Sequence, residues 1–221
     1  MAGPFGAFGK IPALGDFFRM NVSQGFVEAW DEWLQAALLC GRVDHGSDWT
    51  ERYMSAPIWR FALSPGYAGQ EAVIGVMMPS VDRVGRQFPL TLVAPAPTDA
   101  PMRTLAMQEA ALSELELIAL DALDDDMTRE ELARRLEAVQ LAPRLEPSVV
   151  RTGRAGIVVS SSDASAVLPD LALRLGPIYS TVFATAVEGQ ARLMTTHSMP
   201  GNRAAAALFD IFAPIWSEGF E

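Results

Sequence analysis

Apolar residues recur at spacings of three and four along one stretch of the chain: Phe26, Trp30, Trp33, Leu34, Ala37 and Leu38 share one helical face. Ser23 is placed to cap the start of that helix and Gly41 to stop it. A second short helix is expected over 48–55. The period then shortens. Residues 58–63 (Ile-Trp-Arg-Phe-Ala-Leu) alternate as a strand does, and 89–95 (Pro-Leu-Thr-Leu-Val-Ala-Pro) read as another. Residues 72–78 (Ala-Val-Ile-Gly-Val-Met-Met) are apolar throughout, as expected of a central strand covered on both faces. Upstream, 5–11 alternate apolar residues with glycines and predict a first strand, followed by a turn or loop over 12–18.

The middle of the chain is helical in pattern. Pro101 suits a first helical position, and Leu105, Leu112, Leu115, Ala119 and Ala122 keep one face over several turns. Thr128-Arg-Glu-Glu131 fits a capping box ahead of Leu132, Leu136 and Val139. Residues 156–160 read as a strand. Residues 163–175 read as helical, with Pro169 either starting a second helix or kinking the first, and Gly176-Pro177 ending it. Strands over 179–185 and 191–196 flank a hairpin turn at Glu188-Gly189-Gln190. Asn202 is expected to cap a last helix carrying Leu208, Phe209, Ile211 and Phe212. Strands and helices intermingle, and both hairpin and helical connections occur. The expected fold is therefore α/β, a mixed sheet flanked by helices on both faces in a three-layer αβα sandwich. One domain over 1–221 is expected, with a half at 1–96 and a second at 97–221 holding the helical segment, the last strands and the last helix.

Composition narrows the function classes. The chain has 221 residues, half of them apolar, enough for a sizeable core without staples. A net charge of −10 disfavours nucleic acid and anionic membrane surfaces as partners. The single cysteine, Cys40, suits a reducing compartment and a packed position at the end of the first helix. The opening Met-Ala-Gly-Pro-Phe-Gly lacks the basic and apolar regions of a secretory leader, and no apolar run approaches the roughly 20 residues of a membrane span. A cytoplasmic location without membrane insertion is expected.

Catalytic motifs are thin. Gly6-Ala-Phe-Gly9-Lys10 departs from a phosphate loop, because position 4 is proline and Ile11 stands where a hydroxyl is needed. His45, expected on an exposed loop, and His197, at a strand end, announce no metal site, and no cofactor is expected. No nucleophile elbow occurs; Ser160-Ser-Ser162 reads as a helix cap, and Asp124-Asp-Asp126 as a solvated turn. The strongest cluster is Asp82, Arg83 and Arg86 in one glycine-bearing loop with Lys10, Asp16 and Arg19 in another. Such charges form either a recognition surface or an ion-pair network tying two loops together.

The same loops carry a resemblance. Residues 8–17 (Phe-Gly-Lys-Ile-Pro-Ala-Leu-Gly-Asp-Phe) resemble the Phe-Gly-Lys-x-Pro-x-x-Gly-Asp-Phe opening of the TagF (ImpM) family. Trp30-Asp-Glu-Trp-Leu34, Ser55-Ala-Pro-Ile-Trp-Arg-Phe61 and Met78-Pro-Ser-Val-Asp-Arg-Val-Gly-Arg-Gln-Phe-Pro-Leu90 are similar to later segments of that family. The likeness is specific over 8–90 and loose from residue 97 onward. It implies an accessory protein of a bacterial type VI secretion system. Related proteins restrain that machine after translation, through a cytoplasmic scaffold with a forkhead-associated domain and in opposition to a threonine-phosphorylation pathway. Some relatives are fused to a PP2C-type phosphatase, whose run of metal-binding aspartates this chain lacks. The resemblance implies protein binding rather than catalysis; in that reading the loop charges Lys10, Asp16, Arg19, Asp82, Arg83 and Arg86 are the candidate contacts and Trp59 an aromatic anchor if exposed. The alternative is a small hydrolase-like enzyme with a charged cleft around Asp82, Arg83 and Arg86, Asp82 and His197 serving as acid–base partners.

Overall fold

The computed structural model describes residues 5–143, 148–153, 156–161, 164–175, 179–187 and 189–220. The chain runs through β1 (Gly6–Gly9), β2 (Phe18–Met20), α1 (Gln24–His45), α2 (Trp49–Met54), β3 (Trp59–Leu63), β4 (Val73–Met78) and β5 (Leu90–Pro95). The helices α3 (Pro101–Met107), α4 (Glu109–Asp121) and α5 (Arg129–Ala138) follow. Then come β6 (Val149–Gly153), β7 (Gly156–Ser160), α6 (Ala164–Leu175), β8 (Thr181–Val187), β9 (Gln190–Thr196), α7 (Asn202–Ala206) and α8 (Ile215–Glu218). The sequence readings at residues 1–4, Ser162, Asp163, Gly176-Pro177 and Glu188 lie outside the described residues.

Seven strands form one sheet in the order β2-β1-β5-β4-β3-β8-β9, and each neighbouring pair runs antiparallel. The strands β6 and β7 pair separately. Alternation along β4 explains the three layers. Val73 and Met77 face one side with Phe8, Trp59, Phe61 and Phe183, where α1 lays down Phe26, Trp30, Leu34, Ala37 and Leu38. Ile74, Val76 and Met78 face the other side with Leu90, Leu92 and Ala94, covered by Leu112, Leu115 and Ile118 of α4 and by Leu132 and Leu136 of α5. Helices on both faces thus account for the uninterrupted apolar run of β4. Within the second half, α3 and α6 are joined by a buried ion pair, Arg103 with Asp170 at 2.9 Å.

Several local readings hold. Ser23 Oγ accepts the Phe26 N–H at 3.3 Å, and Thr128 Oγ1 accepts the Glu131 N–H at 3.1 Å. Others change. Gly41 does not stop α1, which continues to His45 and ends at Gly46. Gly41 is buried inside the helix, where a Cβ would lie 2.1 Å from Cζ3 of the Trp49 ring. The glycine is there for close approach, not for a stop. Phe18, the last residue of the expected loop over 12–18, instead opens β2, which pairs with β1 as an edge strand. The middle helix breaks at Gln108, whose side chain is turned to the Ala142 backbone, donating at 3.1 Å and accepting at 2.7 Å. Pro169 lies inside the single helix α6. Asn202 is the first residue of α7 and Gly201 takes the cap position, while Phe212 is exposed beyond the helix. His45 sits on α1 and pairs with Asp210 at 3.3 Å rather than on a free loop. Cys40 is half-buried, its Sγ 3.5 Å from Asp44.

Candidate functional site

Lys10 follows β1, and the loop 79–88 leaves β4 and returns as β5. Because β5 lies between β1 and β4, with Phe8 opposite Thr91 and Leu90 opposite Met78, both loops emerge at the same end of the sheet. Asp82 organises them. Its Oδ1 accepts the backbone N–H of Val84 at 3.1 Å and of Arg86 at 2.9 Å. Its Oδ2 takes Lys10 Nζ at 3.0 Å and Arg86 Nε at 2.6 Å. Gly85, with φ of 82°, closes the turn by donating its N–H to the Asp82 carbonyl at 2.8 Å. Burial pushes the Asp82 carboxyl up. The Arg86 backbone N–H, Lys10, the Arg86 side chain and the Val84 N–H together outweigh it and hold the group well below the ordinary carboxylate range.

The first loop is stitched to the second. Arg83 donates its backbone N–H to the Leu14 carbonyl at 3.2 Å and a guanidinium N–H to the Ala13 carbonyl. Arg86 donates Nη2–H to the Gly15 carbonyl at 2.9 Å. From behind, α2 supports the 79–88 loop. The Tyr53 hydroxyl donates to the Ser80 carbonyl at 2.9 Å and accepts the Ser80 N–H at 3.0 Å, and Trp49 Nε1–H donates to Gln87 Oε1 at 2.9 Å. An aromatic cluster flanks the ions: the Phe17 ring sits 4.7 Å from Lys10 Nζ and packs edge-on against Phe88 at 4.6 Å.

The outcome is a crest with a buried base and an exposed top. Lys10 and Asp82 are inside, at 4% and 2% exposure, whereas Phe17 is 47% and Val84 72% exposed. Arg83, Asp16 and Arg86 are exposed beside them. Asp16 accepts the Phe17 N–H at 2.8 Å and lies 3.8 Å from Arg86. The two readings of the charged cluster therefore divide by residue: Lys10 and Asp82 tie the loops together, and Arg83 and Arg86 both tie and face outward.

Two of the candidate residues fall elsewhere. Arg19 is turned toward the start of α1, donating to the Val22 carbonyl at 2.9 Å and to Gln24. Trp59 is fully buried, stacks on Trp216 and donates Nε1–H to the Leu208 carbonyl at 2.6 Å, so the exposure an anchor needs is absent. The inward side of β3 explains it. Phe17 and Val84 went unnoticed in the sequence; for Phe17 the signal was the Phe17-Phe18 pair, in which one ring must point away from the core at period two.

Asp82 and His197 do not meet. His197 follows Thr196, which aligns through Thr181 and Leu63 with Val73 at the start of β4, whereas Asp82 lies beyond its other end at Met78. His197 stacks on Tyr179 at 4.9 Å. Among the described residues no cluster of three or more His, Cys, Asp or Glu is arranged to hold a metal ion, and no helix is long and apolar enough to cross a membrane. One cavity of about 450 Å³ opens at the opposite end of the sheet beside Ser23, Phe26, Gly69 and Pro95. Another, of about 530 Å³, lies between His45, Arg203, Asp210 and Phe220.

Residues 6–139 match the model of the TagF N-terminal domain, described as type VI secretion system-associated. The chain belongs to this family. That match takes in both loops of the crest and all of the sheet up to β5, with α3 to α5 behind it. The TagF-family chain is also similar to the crystal structure of PA0076 from Pseudomonas aeruginosa PAO1, at 27% identity, a TM-score of 0.76 and 95% coverage of both chains. This second likeness carries the fold past residue 139 into the C-terminal strands and helices of the TagF-family chain. No curated protein sequence matches it.

Proposed function

We propose that this type VI secretion-associated chain is a cytoplasmic regulatory binding module, a post-translational repressor that acts by contact rather than by catalysis. Its target is a forkhead-associated scaffold of the same secretion machine, held in an inactive assembly. The observation that carries the reading is the crest: two loops locked by a buried ion network, with Phe17, Val84, Arg83 and Arg86 exposed on top. Aromatic and arginine side chains on a preorganised surface are what a protein interface uses for its strongest contacts. The chemistry for an enzyme is weaker there. All the acceptor positions of Asp82 that point inward are occupied by four donors, so the carboxylate is not a free base, and His197 is at the other end of the sheet.

Calorimetry with the purified forkhead-associated scaffold tests this. Wild type should bind, and Val84→Asp should weaken binding at least tenfold (about 1.4 kcal/mol) at unchanged thermal stability. A wild-type chain that gives no heat of binding with the scaffold refutes the reading.

A further inference from the structure

We propose that the crest formed by residues 10–17 and 79–88 receives an acidic segment of a partner protein, one that carries an apolar side chain between its carboxylates. The apolar group would meet Phe17 and Val84, and the carboxylates would meet Arg83 and Arg86. This names the partner chemistry for the binding-module reading above and rests on it.

Three observations converge. First, the chain as a whole carries a net charge of −10, yet the exposed charged side chains of the two loops are Arg83 and Arg86 against Asp16 alone. Asp82 and Lys10 cancel each other underneath. An acidic partner is therefore repelled over much of the surface and accepted here, which supplies specificity as well as attraction. Second, the guanidinium groups are already oriented. Arg86 is held by Asp82 through Nε and by the Gly15 carbonyl through Nη2, and Arg83 by the Ala13 carbonyl through Nη2. The remaining N–H groups of each fork are left for a carboxylate, with little side-chain freedom to lose on binding. Third, the apolar part is continuous with a fixed aromatic cluster. Phe17 is half exposed but packs on Phe88 at 4.6 Å and on Phe8 at 6.3 Å, so its outward face is presented at a set angle. Val84, at 72% exposure, stands between the two arginines in sequence.

The test is amide NMR of the full chain with two synthetic peptides as probes, Glu-Glu-Leu-Phe-Glu-Glu and Lys-Lys-Leu-Phe-Lys-Lys. The acidic peptide should move the amides of Gly15 to Phe17 and Arg83 to Gln87, and the basic one should leave them in place. In Val84→Asp, which adds a carboxylate to the crest without touching the buried ions, the acidic peptide should lose at least tenfold in apparent affinity. Unmoved crest amides, or equal movement with both peptides, overturn the proposal, and these wild-type comparisons stand whether or not the variant folds. The scaffold separates the two readings. If the acidic peptide maps to the crest but the scaffold fails to bind, the regulatory reading falls and this one stands. If the scaffold binds with the crest amides unmoved, this one falls and the regulatory reading stands.

Discussion

Replacing Gly41 by alanine should destabilise the protein, although helix propensity alone predicts the reverse. Gly41 lies inside α1, where alanine is favoured over glycine by about 1 kcal/mol. The structure opposes that gain. A Cβ there would stand 2.1 Å from Cζ3 and 2.6 Å from Cη2 of Trp49, a ring that is itself buried. Restoring an ordinary carbon contact of about 3.5 Å needs a shift of roughly 1.4 Å. The ring cannot swing freely, because it packs on Tyr53 at 5.7 Å and donates to Gln87. Overpacking of this kind costs about 1–3 kcal/mol, and loss of the indole hydrogen bond about 1 more. The net expectation is a loss of about 2 kcal/mol, a fall in Tm of roughly 4–8 °C for a chain of this size. Calorimetric melting of Gly41→Ala beside Gly25→Ala gives the contrast, since a Cβ at Gly25, on the same helix, meets nothing within 4 Å. Gly25→Ala should melt no lower than wild type. A Gly41→Ala protein that melts at or above the wild-type temperature refutes the argument that Trp49 fills the space of the missing side chain.

Two further perturbations separate the layers of the molecule. The Asp82 carboxyl is held below its ordinary value of 3.8, so its contribution is present above that value and is lost as pH falls through the lower folded value. Urea midpoints measured from neutral pH down to about pH 2 should therefore fall less steeply at the acid end in Asp82→Asn than in wild type. Trp59→Phe should cost about 2–3 kcal/mol by removing the donor to the buried Leu208 carbonyl and part of the stack on Trp216. Its affinity for the scaffold, read by calorimetry on the folded fraction, should not change, because the side chain is fully buried.

The layers of this fold were legible where one physical rule dominated. Alternation over 58–63 and the uninterrupted apolar run over 72–78 located β3 and β4 to within a residue or two at each end, and a capping serine and threonine marked the starts of α1 and α5. What failed was decided by contacts distant in sequence. Gly41 looks like a helix stop until Trp49, eight positions on, occupies its space. Phe18–Met20 is too short to signal a strand and exists because β1 offers it an edge. The strand β6 went unread because its sequence, Val-Val-Arg-Thr-Gly, holds two adjacent apolar residues and no alternation to count. At the site, the charged residues could be picked out, but not their division of labour. Asp82 and Arg83 are neighbours in sequence, yet one is buried beneath four donors and the other is exposed.

That division leads to a prediction about the residue that belongs to both groups. Arg86 anchors the loop inward through Asp82 and the Gly15 carbonyl, and more than half of its side chain remains exposed, at 57%. Lysine at this position keeps the charge but lacks the fork, so it can hold Asp82 or reach outward but not span both. Arg86→Lys should therefore lower both the melting temperature and the affinity for an acidic probe. Val84→Asp should lower only the affinity, and Trp59→Phe only the melting temperature. Paired melting and titration of the three variants checks the pattern. Were Arg86→Lys to lose affinity at an unchanged melting temperature, the guanidinium would be a surface contact alone and its bond to Asp82 would not matter to the fold. Were it to lose stability at unchanged affinity, the outward face of the crest would not be where the partner binds. Only a joint loss fits a loop whose binding group is also one of its fastenings.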